Sequence, residues 1–323
     1  MNKYLLLSVC LVVFLISGCA FVHIPLRTAP EPLKEHVIEG EGKTKILMID
    51  VSGAISEKEK SRDSLFAEEV PLLARVKEEL QKAQKDKDVC GLIIRINSPG
   101  GTVTASDIIY HEILEFKKRT RARVAACITG VGASGAYYIA SAADEIFALP
   151  TSIIGSIGVI AMRVDVHNLL GKIGVGTETV KSGELKDLWS SFRPSTPRET
   201  EIMQKIIDQL YGRFIDVAAA GRKNALSREE LLKLADGRVY TADQALEAKL
   251  IDHIGYFEDL LDKMKKTLNV SEAKVITYHR PGTYRGTIYS GAAPLSPIVN
   301  LLNINGDSLS LLPEVRFLYL WNP

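Results

Sequence analysis

Apolar and polar positions along this chain switch repeatedly between two periods from about residue 45 onward. Short, largely apolar runs at 46–49 (ILMI), 89–96 (VCGLIIRI) and 124–128 (VAACI) have the length and composition of buried strands. Between them lie stretches with helical spacing. One covers 65–80, interrupted or kinked near Pro71. Another covers 104–118, with Ile108, Ile109, Ile113, Leu114 and Phe116 as its apolar positions. Residues 135–143 are rich in helix formers and lack proline. Further strands are expected at 145–149 and 156–160, and helices near 166–170 and at 197–220, 228–235, 242–249 and 257–267. Ser227 with Glu230 makes a capping box at the start of one helix, and Thr241 caps another. Strands alternating with helices imply an α/β fold with a largely parallel sheet. The stripe Ile202, Ile206, Leu210, Phe214 and Val217 reads as core or as a face for a partner subunit.

Outside this alternation the chain reads differently. Lys3 precedes an apolar run at 4–16 that is short for a membrane span. The run ends Leu15-Ile16-Ser17-Gly18-Cys19, which resembles the lipobox of bacterial lipoproteins. The expectation is a lipoprotein-type signal peptide over 1–18 with lipid on Cys19, ahead of an ordinary signal peptide or an uncleaved anchor. Residues 19–44, with Pro25, Pro30 and Pro32, read as a linker, and 45–280 as the globular domain. The tail at 281–323 carries Pro281, Gly282, Gly286, Pro294 and Pro297 and ends in an apolar run at 315–321. That run is expected to dock on a subunit or a membrane surface.

Composition narrows the chemistry. Lys+Arg 40 against Asp+Glu 39 in 323 residues leaves no basic excess, so no nucleic-acid partner is expected. The six histidines are scattered without ligand-like spacing, and neither a metal nor another cofactor is expected. Cys90 and Cys127 lie in apolar runs and read as small buried hydrophobes with free thiols.

Two strand-to-helix junctions carry small-residue turns, Asn97-Ser98-Pro99-Gly100-Gly101 and Gly130-Val131-Gly132-Ala133-Ser134. In parallel α/β sheets sites form outside the carboxyl ends of the strands, so the two turns should be neighbours. Ser134, opening the segment 135–143, reads either as an N-cap or as a nucleophile with backbone N–H groups beside it. One N–H from the first turn and one next to Ser134 would make a two-donor oxyanion hole; the alternative is a plain turn. Ser134 is not in a G-x-S-x-G elbow, because Ala136 replaces the second glycine. No histidine has a supporting motif. A lysine base must be neutral to accept a proton, which burial or nearby positive charge favours. The candidate is Lys186 in KSGELKD, although an exposed surface lysine is the ordinary alternative.

Five blocks then occur in order: INSPGG (96–101), GASGAYYIASAADEIFA (132–148), GSIGVI (155–160), KSGELKD (181–187) and GRVYTADQALEAKLID (237–252). Together they resemble the signal peptide peptidase A family, the S49 serine peptidases, in the short single-repeat form, over about 45–256. The resemblance implies a Clp protease/crotonase-like α/β fold with repeated β-β-α units and C-terminal helices. It implies a Ser/Lys dyad on Ser134 and Lys186, with an oxyanion hole from the backbone N–H groups of Gly101 and Gly135. It also implies a ring-like homo-oligomer. The expected function is a membrane-associated serine endopeptidase acting on apolar peptides such as cleaved signal-peptide remnants. It would be lipid-anchored in the bacterial cell envelope, with the catalytic domain outside the cytoplasm. The alternatives are a catalytically inactive scaffold and a crotonase-like one. Ala136, where the family more often has glycine, and the lipobox are the two departures.

Overall fold

The computed structural model describes residues 32–57, 71–280 and 316–321. Their first half alternates as the sequence implies: β1 (Lys34–Glu39), β2 (Lys45–Ser52), α1 (Leu72–Ala83), β3 (Val89–Ser98), β4 (Gly100–Thr102), α2 (Val103–Thr120), β5 (Arg123–Ala133) and α3 (Gly135–Ala140). Short strands follow, β6 (Glu145–Ala148), β7 (Ile153–Gly155) and β8 (Ile160–Met162), and then α4 (His167–Lys172). The helical part holds α5 (Pro197–Gly221), α6 (Arg228–Leu234), β9 (Val239–Thr241) and α7 (Ala242–Glu247). It closes with β10 (His253–Ile254), α8 (Phe257–Leu268), β11 (Lys274–His279) and, at the far end, β12 (Arg316–Leu320).

The main sheet runs β1-β11-β2-β3-β5-β6-β10, with β7 on the far half of β5 and β9 beside β7. Its centre is parallel, and only β1 on β11 and β9 on β7 are antiparallel. Parallel strands covered by helices must be apolar on both faces, which is why β2, β3 and β5 read as continuous apolar runs. One face packs under α8: Ile46, Met48, Ile93, Ala125, Cys127 and Phe147 meet Phe257, Leu260, Leu261 and Met264. Burying each large side chain there contributes about 1.5–3 kcal/mol before entropy is counted.

Several boundaries differ from expectation for local reasons. Residues 34–39, inside the stretch read as linker, form an edge strand whose register on β11 is broken between Val37 and Glu39. Pro71 does not kink a helix; it stands at the N-cap of α1, where a missing N–H costs nothing. The rest of the expected 65–80 helix lies outside the described residues. The strand expected at 156–160 does not form; β7 ends at Gly155 and β8 begins at Ile160, because Gly155 (φ +101°) and Ser156 (φ +49°) turn the chain. The apolar tail pairs within its own chain, β12 lying against β4 and β8. Cys90 and Cys127 are free thiols. Cys19 lies outside the described residues. Among those residues no helix is long and apolar enough to cross a membrane.

Candidate active site

The two small-residue turns are neighbours. β3 and β5 are adjacent, and their register carries Ser98 opposite Gly132. The Asn97 Oδ1 accepts the Val131 N–H at 3.1 Å, tying one turn to the other. A β-carbon on Gly130 would lie 2.6 Å from that oxygen, so glycine there leaves the Asn97 side chain in place.

Ser98 is fully buried, and its hydroxyl donates to the Gly53 carbonyl (2.6 Å) and accepts the Gly100 N–H (3.1 Å). β4 then runs past Ile55, whose N–H donates to Gly100 O (2.9 Å) and whose carbonyl accepts the Thr102 N–H (2.8 Å). Those two bonds flank Gly101. Its own N–H and C=O therefore face the opposite edge of the strand.

Ser134 sits on the turn from β5 into α3. Its φ of 56° and ψ of −120° belong to a conformation that costs a non-glycine residue on the order of 1–3 kcal/mol. Ala133 is in register with Gly155, and the Ser134 N–H donates to Gly155 O at 2.7 Å. Its side chain makes no capping bond to α3, so the cap reading fails. Ser134 is 1% exposed. A β-carbon on Gly135 would lie 3.3 Å from the Gly101 nitrogen, and one on Gly100 would lie 2.7 Å from the Gly135 nitrogen. The structure thus brings Ser134, Gly101 and Gly135 to one point. Two backbone amides beside one hydroxyl can hold the oxygen of a tetrahedral intermediate.

Lys186 lies elsewhere in the pattern. It is exposed, on a turn whose backbone closes from Lys186 N–H to Gly183 O at 3.1 Å, and it makes no hydrogen bond with Ser134. The turn is held by a charged cluster that motif reading missed. Arg193 donates to both carboxylate oxygens of Asp187 (Nε and Nη2, both 2.8 Å) and bonds both oxygens of Glu199. Lys181 adds a 2.7 Å bond to Asp187. These contacts, Arg193 first, hold the Asp187 carboxyl well below the usual carboxylate range and that of Glu199 at about 2. A signal for part of this was in the sequence: Thr196 and Glu199 form a capping box at the start of α5, which points the glutamate back toward Arg193.

The model of the S49 peptidase family matches residues 116–271, and that of the Clp protease matches 71–155. An assigned signal peptide peptidase SppA of Enterococcus faecium is 37% identical over 78% of this chain and 72% of its own length. The chain belongs to peptidase family S49. Its fold is the Clp protease-like α/β fold, and its activity is that of a peptidase, serine-type by family. The chloroplastic serine protease SPPA of Arabidopsis thaliana is 33% identical over 77% of this chain. Protease 4 of Haemophilus influenzae is 34% identical over 70% of it. This chain spans 37% and 35% of those longer S49 relatives. The Clp protease match contains both turns and Ser134, and the S49 match contains Ser134 and Lys186.

Proposed function

We propose that this S49 chain is a membrane-associated serine endopeptidase in which Lys186 activates Ser134. Neutral Lys186 takes the Ser134 proton, and Oγ adds to a peptide carbonyl carbon. The oxyanion is held by the N–H groups of Gly101 and Gly135. The C–N bond then breaks as Lys186 returns the proton to the leaving amine, and water releases the acyl group from Ser134. The observation that carries the reading is the strained, buried Ser134 with those two amides converging beside it.

Lys186 reaches the serine as part of a ring-like homo-oligomer. The segment that carries it exposes Val180 (95%), Ile173 (64%) and Leu169 (59%), a face that a neighbouring copy would cover. The substrates are apolar peptides such as signal-peptide remnants; the name of the Enterococcus relative, a signal peptide peptidase, supports the reading. Lipid on Cys19 holds the enzyme in the cell envelope with the catalytic domain outside the cytoplasm.

Mass spectrometry after a fluorophosphonate tests the dyad, with Ser134→Ala and Lys186→Ala in parallel. One adduct, on Ser134 and dependent on Lys186, is expected. No adduct on folded, assembled protein would refute peptidase chemistry, and an adduct independent of Lys186 would refute the base. Palmitate labelling lost in Cys19→Ala is the corresponding result for the anchor.

A further inference from the structure

Among the described residues six besides glycine have positive φ: Arg121, Ser134, Ser156, Trp189, Lys249 and Asn269. Arg121 and Asn269 are the left-handed C-caps of α2 and α8, and Lys249 follows the C-cap of α7. At those places the conformation is an ordinary way to close a helix. Ser134 and Ser156 lie at the nucleophile turn, Ser156 directly after the Gly155 carbonyl that takes the Ser134 N–H. Trp189 remains. It closes no helix, and it stands three residues past Lys186. A bulky side chain at a φ of 60° is a genuine outlier, and strain of this kind clusters at functional sites.

The turn that holds it is well defined. The Ser190 N–H donates to Asp187 O at 3.1 Å, which makes Trp189 the third residue of a four-residue turn. Leu188, the second, has no positive φ, so the geometry is that of a type II turn. Such a turn asks for glycine or asparagine in third place, and this chain has tryptophan. Contacts at both ends maintain the conflict. At the start, Arg193 Nη2 donates to Asp187 O at 3.0 Å and to its carboxylate at 2.8 Å. At the end, Arg163, just past β8, donates from Nη1 to Ser190 O at 2.6 Å. The same guanidinium lies 5.8 Å from the centre of the Trp189 ring, within reach of a cation–π contact. The Val166 N–H then donates to Ser191 O at 2.9 Å, so the segment after β8 braces the chain beyond the turn.

We propose that Trp189 is a positioning residue for Lys186. Its ring, seated on Arg163, fixes the turn 187–190, and the turn fixes the lysine that stands directly before it. The proposal rests on the Ser134/Lys186 reading, and Trp189 acts only through the lysine. Glycine would suit the backbone better, but it would leave Arg163 without the ring and free the turn to shift.

The test is a double-mutant cycle on the full chain, read by the rate at which a fluorophosphonate labels Ser134. Trp189→Gly should melt no earlier than wild type, because glycine relieves the turn, yet its maximal labelling rate should fall about 10²-fold. The half-saturating concentration of the reagent should not change. Trp189→Phe keeps a ring over Arg163 and should label close to the wild-type rate. In a Lys186→Ala background, Trp189→Gly should slow labelling no further. Trp189→Asn, which also accepts a left-handed φ, takes its place if Trp189→Gly fails to fold. Labelling of either variant at the wild-type rate overturns the proposal. Further slowing in the Lys186→Ala background overturns it too, since Trp189 would then act on something other than the lysine. Lys186→Ala that labels at the wild-type rate sinks the lysine as base, a result distinct from either.

Discussion

Gly101→Ala tests the site at its tightest point. A β-carbon there would lie 1.9 Å from the Ile55 carbonyl oxygen and 2.6 Å from both its carbonyl carbon and its nitrogen. All three are backbone atoms and cannot rotate away. The strand must therefore part from Ile55, stretching the bonds from Ile55 N–H to Gly100 O (2.9 Å) and from Thr102 N–H to Ile55 O (2.8 Å). At about 0.5–1.5 kcal/mol net for each bond, the expected loss is roughly 1–3 kcal/mol. That corresponds to roughly 2–12 °C in melting temperature for a domain of this size. The displacement also moves the Gly101 N–H, and loss of one oxyanion donor costs about 10²–10³ in rate. The assay is thermal melting together with the rate of fluorophosphonate labelling of Ser134. Gly212→Ala in the interior of α5 is the control. No atom lies within 4 Å of its β-carbon, and it should gain about 0.8–1.0 kcal/mol from helix propensity with labelling unchanged. A Gly101→Ala chain that melts early but labels at the normal rate would refute the oxyanion assignment. One that melts and labels normally would refute the packing as well.

Three further outcomes follow from buried groups. Arg222 is 4% exposed, grips Asp252 through both carboxylate oxygens at 2.7 and 2.8 Å, and also donates to Lys249 O. Arg222→Ala leaves the carboxylate behind; because Asp252 is 28% exposed, the cost sits near the low end for a broken buried pair, about 3 kcal/mol by urea unfolding, and adding Asp252→Asn should recover part of it. The Arg193 bonds lower Glu199 from 4.5 to about 2, so this carboxylate stabilises the fold above its ordinary value and the contribution is lost as pH falls through the lowered one. The stability gap between wild type and Glu199→Gln should be full above about pH 4.5 and close toward pH 2, and a pH-independent gap would count against the cluster. Burial pushes the Cys127 thiol up to about 12, so iodoacetamide at roughly pH 8 should leave it unmodified until denaturant is added.

The parallel core was legible because a strand covered on both faces is apolar nearly throughout, and 46–49, 89–96 (Arg95 apart) and 124–128 are. The adjacency of the two turns was legible for a related reason: consecutive parallel strands end on the same side, which puts Ser98 beside Gly132. Residues 34–39 were not, because an edge strand needs neither face buried and its alternation, Val37 and Ile38 among charges, is too weak to outvote the nearby prolines. β12 read as an apolar tail in search of a surface. Its strand partners are more than 150 residues earlier, and no local pattern encodes a pairing at that separation. The Lys186 turn shows the same limit: Thr196 and Glu199 announce a capping box, but the reach of Arg193 to Asp187 is a fact of the fold.

Ser134 is where local signals and structure part most clearly, and the rest of the chain supplies the control. Thr102, Thr196, Ser227 and Thr241 all stand at helix starts with φ between −67° and −85°, and each accepts the amide three residues on. At these four helix starts the extended serine or threonine caps. Ser134 stands at a helix start too, but with a φ of 56° it forms no capping bond. The neighbours hold it there: the register of Ala133 with Gly155, the 2.7 Å bond from its N–H to Gly155 O, and Tyr138 N–H on its carbonyl at 3.0 Å. An extended φ with a capping bond was available to the same residue at lower cost. Backbone strain that surrounding contacts maintain, at a hydroxyl next to two convergent amides, supports the proposed nucleophile over a cap, which has no use for it.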